Sequence, residues 1–163
     1  MNTFTKWFLI NAVMLTGAFF AEQKGAISTI IKNDLSYISI LIMILYVCVS
    51  CYIGRLCYLS DRMSSTSKRK KAKEMEYLEN RSNLGWFSAE HFFSLGLLGT
   101  IIGLIFATKG SLDSSLPVSE IVSGLKEGLN TAFYTTVCGI VFSLPLQIQL
   151  MILKFKLGQK NGN

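Results

Sequence analysis

Two runs of small residues carry threonines at helical spacing, and most of the chemistry this sequence offers lies there. In the first, Gly96, Thr100, Gly103 and Ala107 recur at intervals of four, three and four, so they share one face of a helix, with Gly99 and Gly103 adding a second close-packing pair. In the second, Gly128, Ala132, Thr135 or Thr136, Gly139 and Ser143 repeat the pattern. A threonine hydroxyl both donates and accepts a hydrogen bond. It can therefore replace part of an ion's hydration shell, or pass a proton beside a carboxylate. Thr100, Thr135 and Thr136 are accordingly the candidate ion-path residues. The glycines, Ala132 and Ser143 have two readings. They let the two helices pack on each other, or they form the small-faced wall of a pore shared among several subunits. Threonines in helices also bond to carbonyls of their own helix, which is the plain alternative for each hydroxyl. Pro145, near Ser143, Gln147 and Gln149, would kink the second helix, either as a simple bend or as an ion exit.

These residues must be held by apolar helices. Of the 163 residues, 50% are hydrophobic and 16% charged, with two prolines and a mean hydropathy of +0.42. That composition disfavours a soluble enzyme and a disulfide scaffold, and favours a membrane protein. Four stretches lack charge: 7–21, 35–54, 92–108 and 128–153. A span needs about 20 apolar residues. The second and fourth suffice by length, the third narrowly, and the first is short. Residues 1–34 then hold either a span or an interfacial helix, followed by an external loop; a signal peptide fits less well, with Phe19 poorly suited to precede a cut after Ala21. The expected organisation is all-α, a three- or four-span bundle. Its spans are 35–59, 92–108 and 128–153. A basic cytoplasmic segment covers 60–91, opening as a loop at Asp61, Ser64, Ser65 and Ser67, with a helix from Lys68 to Asn80. An external loop covers 109–127 and a cytoplasmic tail 154–163.

Charge sets the sidedness. The net charge is +6, from 16 basic and 10 acidic residues. Eight of the basic residues fall within 55–90, and Lys154, Lys156 and Lys160 follow the last span. The positive-inside rule puts both regions in the cytoplasm. The excess therefore reports topology and attraction to lipid, and no nucleic-acid partner is expected. No acid falls inside the four stretches, and His91 is expected at the interface. A self-contained proton relay cannot be built from such spans, so any carboxylate for ion transfer must come from another chain. Cys48 and Cys51 lie one turn apart, but zinc normally needs four ligands, so they read as packing residues and no metal is expected. No nucleophile–base set is spaced for an enzyme.

The segment from Gly96 to Ile105, with its Gly-Thr at 99–100 and Gly103, resembles a signature of the MotA/TolQ/ExbB channel proteins. The run Gly128, Ala132, Thr136, Gly139 and Pro145 is similar to that family's last-span pattern, and order and separation agree over roughly 92–153. The resemblance implies an inner-membrane pentamer around a dimer of a single-span MotB/TolR/ExbD-type partner, which supplies an intramembrane Asp. It also implies Thr100 and Thr136 as pore-lining residues, and mechanical work driven by H+ or Na+ flow, with no cofactor. There are departures. Phe92-Phe93 stand where the family often has Ala-Pro. Thr131 stands where its energy-coupling branch commonly has Glu, and 60–91 is too short for the torque-bearing domain of the flagellar branch. The branch stays open. The alternatives are a non-conducting membrane scaffold, in which the stripes only pack, and a holin-like pore-forming protein.

Overall fold

The computed structural model describes residues 2–62, 68–111 and 117–161. Every regular element among them is a helix: α1 (Thr3–Gln23), α2 (Ala26–Asn33), α3 (Ile38–Arg62), α4 (Lys68–Ser111) and α5 (Val118–Asn161). Four of these, α1 and α3 to α5, are long and apolar enough to cross a membrane. The loop expected at Ser64, Ser65 and Ser67 lies outside the described residues.

The dominant unit is the antiparallel pair α4–α5. Each helix has 44 residues, about 66 Å at 1.5 Å per residue. This is twice the thickness of a bilayer's hydrocarbon core, about 30 Å. The expected division into a cytoplasmic helix near 68–80 and a separate span at 92–108 is replaced by one unbroken helix. The reason lies in its inner face. Met75, Leu78, Ser82, Gly85, Ala89, Phe92, Gly96, Gly99, Gly103 and Ala107 are buried at steps of three and four residues, a coiled-coil-like seam. Leu146, Leu150, Leu153 and Leu157 continue the facing seam on α5. The charges of 72–90 sit on the other faces, so they never interrupt the packing. Helix likewise replaces both ends of the external loop expected over 109–127, since α4 runs to Ser111 and α5 starts at Val118, and α5 runs on through most of the expected tail.

α3 packs along both long helices. Ile42, Ile53, Leu56, Leu146, Leu150 and Leu153 are at most 3% exposed and form the apolar centre. Its start is fixed by Asp34, which accepts from Ser39 N at 2.8 Å and from Ser36 N at 2.9 Å. Such a cap contributes about 1 kcal/mol.

α1 has no apolar residue in the buried core, and polar contacts seat it. Asp61, at the end of α3, accepts from the free N–H groups of Thr3 (3.2 Å) and Phe4 (2.8 Å) and pairs with Lys156 of α5. Trp7 donates to Ser50 O at 3.0 Å, and its indole lies where a Cβ on Gly54 would fall. Asn11 Oδ1 accepts from Ser50 at 2.8 Å and from Tyr46 at 3.3 Å, and Ser50 also reaches Gln149 of α5 at 3.4 Å. The start of α1, the end of α3 and the end of α5 therefore lie at one end of the bundle. α1 thus runs antiparallel to α3 from Thr3 to Asn11, and by length and composition it is a candidate for the fourth span that the sequence left as one option.

Register fixes the level of Glu90 and His91 against α3. Gly85 lies against Ile53 and Leu150. Five residues further along the antiparallel pair, Glu90 is level with about Cys48, within the apolar stretch of α3, and His91 with Val47. The carboxylate accepts from Trp86 Nε1 at 2.6 Å, and His91 Nδ1 lies 2.7 Å from Phe87 O. Both side chains are exposed on the surface of the bundle.

Candidate functional site

The small-residue stripes bring α4 and α5 into backbone contact, which is the first of the two readings the sequence allowed. A Cβ on Gly96 would stand 3.1 Å from Gly139 Cα and 3.0 Å from Thr135 O. One on Gly139 would stand 2.9 Å from both Gly96 Cα and Phe92 O, and one on Gly103 only 2.5 Å from Ala132 N. A Cβ on Gly128 would collide with the backbone of Ala107. These obstacles are main-chain atoms, which cannot swing aside. Ala132 itself is 3% exposed. The stripes fill each other, so within one chain they leave no open small-faced wall.

Inside this contact the two candidate threonines meet. Thr100 Oγ1 is in hydrogen-bond contact with Thr136 Oγ1, across 36 residues of sequence. Thr100 also reaches Gly96 O at 3.1 Å and Ala132 O at 3.3 Å, and Thr136 reaches Ala132 O at 3.0 Å. Two hydroxyl protons thus serve one another and two carbonyls. With more acceptors than protons, the pair has interchangeable arrangements that need only hydroxyl rotation. In one, Thr136 donates to Ala132 O and Thr100 donates to Thr136. In another, Thr100 donates to Gly96 O and receives from Thr136. Both residues are half-buried. A carboxylate approaching the exposed side would take a donor from the pair, and its protonated form would find an acceptor there.

Thr135 is not part of that pair. Neighbours on a helix stand about 100° apart, and Thr135 turns into Gly99, against which its side chain is packed. It is fully buried, and its hydroxyl reaches carbonyls of its own helix, Thr131 O at 2.9 Å and Ala132 O at 3.1 Å. The plain reading of a helical threonine holds for this residue. Ser143 is buried and accepts from Gln147 Nε2 at 2.9 Å. It lies seven residues from Thr136, about 10 Å along the axis. Pro145 is buried within an unbroken α5, where its missing N–H leaves the carbonyl of Val141 without its usual helical donor.

Three features escaped the sequence reading. Thr131 Oγ1 accepts from Leu35 N at 3.2 Å and lies 3.1 Å from both Asn33 O and Glu127 O, which clamps the α2–α3 junction to α5. Asn11 and Ser50 form the polar seat of α1. Their signal was present, since each is a polar residue inside an uncharged apolar run, but the partner of a buried amide cannot be read from one helix alone. Asp61 was read as the opening of a loop and instead joins three helices. Among the described residues no group of three or more His, Cys, Asp or Glu side chains stands close enough to hold a metal. Cys48 and Cys51 are exposed, while Cys57 and Cys138 are buried.

Glu90 does not complete the threonine site. It lies ten residues from Thr100, about 15 Å along α4, and is engaged with Trp86.

Comparison with known proteins agrees with the motifs. No curated protein and no solved structure matches the chain. The family model described as the MotA/TolQ/ExbB proton channel family matches residues 59–161, which takes in the last residues of α3 and all of α4 and α5. That is well over half of the sequence and includes both threonine-bearing helices. With its four apolar helices the protein is a multi-pass membrane protein, and it belongs to the MotA/TolQ/ExbB proton channel family.

Proposed function

We propose that this chain is the channel subunit of an inner-membrane motor, in which proton or sodium flow does mechanical work on a partner. The observation that carries the reading is the Thr100–Thr136 hydroxyl pair, assembled from two separate motifs on the two helices the family model covers. In this reading five copies surround two copies of a single-span partner that brings the carboxylate. α4 and α5 line the ring, and α1 and α3 lie outside them. The end of the bundle bearing Asp61 and Lys156 faces the cytoplasm, because the basic residues cluster there. The C-terminus is then cytoplasmic.

The chemistry follows from charge and donor supply. An ionised carboxylate in an apolar layer is costly, and the threonine pair offers it a hydrogen bond without any heavy-atom movement. When a proton or Na+ neutralises the carboxylate, the pair turns back to its own carbonyls and the partner helix is released to move. Each charge crossing the membrane carries about 2.3 kcal/mol per 100 mV. A few ions per step are therefore enough to repack helices.

The test is Thr136→Val in a complex co-expressed with its neighbour. This reading expects an assembled complex that conducts poorly. The scaffold alternative expects no ion-dependent phenotype in either form. A holin-like protein would lesion membranes when expressed alone.

A further inference from the structure

Two hollows, of about 480 Å³ and about 320 Å³, lie between α3 and α4. On α3 they are lined by Cys48, Tyr52, Leu59 and Arg62, at steps of four, seven and three residues. On α4 they are lined by Ser88, Leu84, Arg81, Tyr77 and Lys73, at steps of three and four. These spacings put each set on one face of its helix, so the hollows are successive lengths of a single furrow.

Its chemistry changes along its length. The end near the α3–α4 connection holds Arg62 and Lys73 beside Leu59 and Tyr77, with Glu74 the one acid. Midway, the Arg81 guanidinium stacks over the Tyr77 ring at 5.3 Å, and Tyr52 donates to the main-chain carbonyl of Arg81 at 3.3 Å, which ties the two helices together there. Beyond Arg81 the lining is Cys48, Val49, Leu84 and Ser88, which includes no charge. Two cations oppose one carboxylate at one end, Arg81 adds a third midway, and an apolar slot continues beyond it. From Arg62 to Cys48 is 14 residues of helix, about 21 Å, close to one leaflet of a bilayer about 40–45 Å thick with its headgroups.

We propose that this groove is a binding site for an anionic phospholipid of the cytoplasmic leaflet. The headgroup phosphate lies among Arg62, Lys73 and Arg81, and an acyl chain runs along Leu84 towards Cys48. Basic pockets between spans on the cytoplasmic side suit such headgroups, and the apolar continuation selects a lipid over a soluble anion. The site lies away from the threonine pair and does not depend on ion conduction.

The experiment is native mass spectrometry of the detergent-purified oligomer, delipidated and titrated with phosphatidylglycerol or phosphatidylcholine. The wild type is expected to retain phosphatidylglycerol selectively. Arg62→Gln combined with Lys73→Gln should weaken that retention about 30-fold, from roughly fivefold for each surface charge removed. Lys126→Gln, near the start of α5 at the opposite end of the bundle, should leave it unchanged. These three side chains are exposed, so folding is not at stake. Leu84→Trp, which fills the apolar slot, should weaken binding of the diacyl lipid and leave that of its water-soluble headgroup, glycerophosphoglycerol, as it was. Equal retention of phosphatidylcholine by the wild type would overturn the proposal, as would retention within twofold in the double variant. Displacement of a soluble acidic peptide by the same substitutions, with lipid retention unmoved, would reassign the groove to a protein partner.

Discussion

Replacing Thr136 with Val removes one oxygen and almost nothing else. Valine has nearly the shape of threonine, so the contact between Gly96 of α4 and Gly139 of α5 is preserved. Thr100 keeps Gly96 O at 3.1 Å and Ala132 O at 3.3 Å as acceptors. Ala132 O loses Thr136 at 3.0 Å and still receives from Thr100. The hydroxyl pair is lost, but no buried carbonyl is orphaned, so the folding cost should stay at or below about 1 kcal/mol. The transport cost is larger. A hydrogen bond to a charged group contributes about 1.5–3 kcal/mol. Losing it where the partner's carboxylate must ionise therefore slows ion passage about ten- to a hundredfold. The assay is ion uptake by proteoliposomes holding the subunit with its partner, driven by an imposed potential and normalised to assembled complex. Thr136→Ser, which restores the oxygen, should recover most of the flux. Flux within twofold of wild type in an assembled Thr136→Val complex would refute the reasoning.

Other substitutions separate packing from chemistry. Thr135→Val should leave ion uptake near the wild-type level, because that hydroxyl serves only its own helix; the same liposome assay checks it. Gly128→Ala should destabilise by about 1–3 kcal/mol through overpacking against the Ala107 backbone. Gly124→Ala, where a Cβ meets nothing within 4 Å, should be neutral or stabilise by up to about 1 kcal/mol. Thermal unfolding in one detergent compares the two. Asp61→Asn breaks the pair with Lys156 and weakens the cap on α1; protease sensitivity near Thr3 should rise while the α4–α5 contact, followed by a cross-link between its helices, is retained.

The legible and illegible parts of the molecule divide along physical lines. Long uncharged runs announce helices, and small residues at steps of three and four announce a close contact, so α3, α5 and the Thr100–Thr136 meeting could be anticipated. The extension of α4 was visible in principle, since Met75, Leu78, Ser82, Gly85 and Ala89 keep the same step as Gly96 and Gly103. It was missed because charge was read as a boundary, whereas charges on the outward faces leave the packing face of α4 unbroken. Thr135 and Thr136 differ by one residue and hence by about 100°, and only the neighbouring helix decides which of them faces the pair. The roles of Thr131, Asn11 and Asp61 depend on partners 35 to 98 residues away. No pattern within a single helix encodes those pairings.

The central claim is that this chain supplies a hydroxyl pair to a carboxylate carried by another. Imaging the purified complex with its co-expressed single-span neighbour tests it most directly. The account predicts five copies of this chain around two partner helices, with a partner carboxylate within hydrogen-bonding reach of Thr100 or Thr136 in at least one subunit. A dimer or tetramer formed without a partner, or a partner carboxylate lying away from that pair, would contradict it.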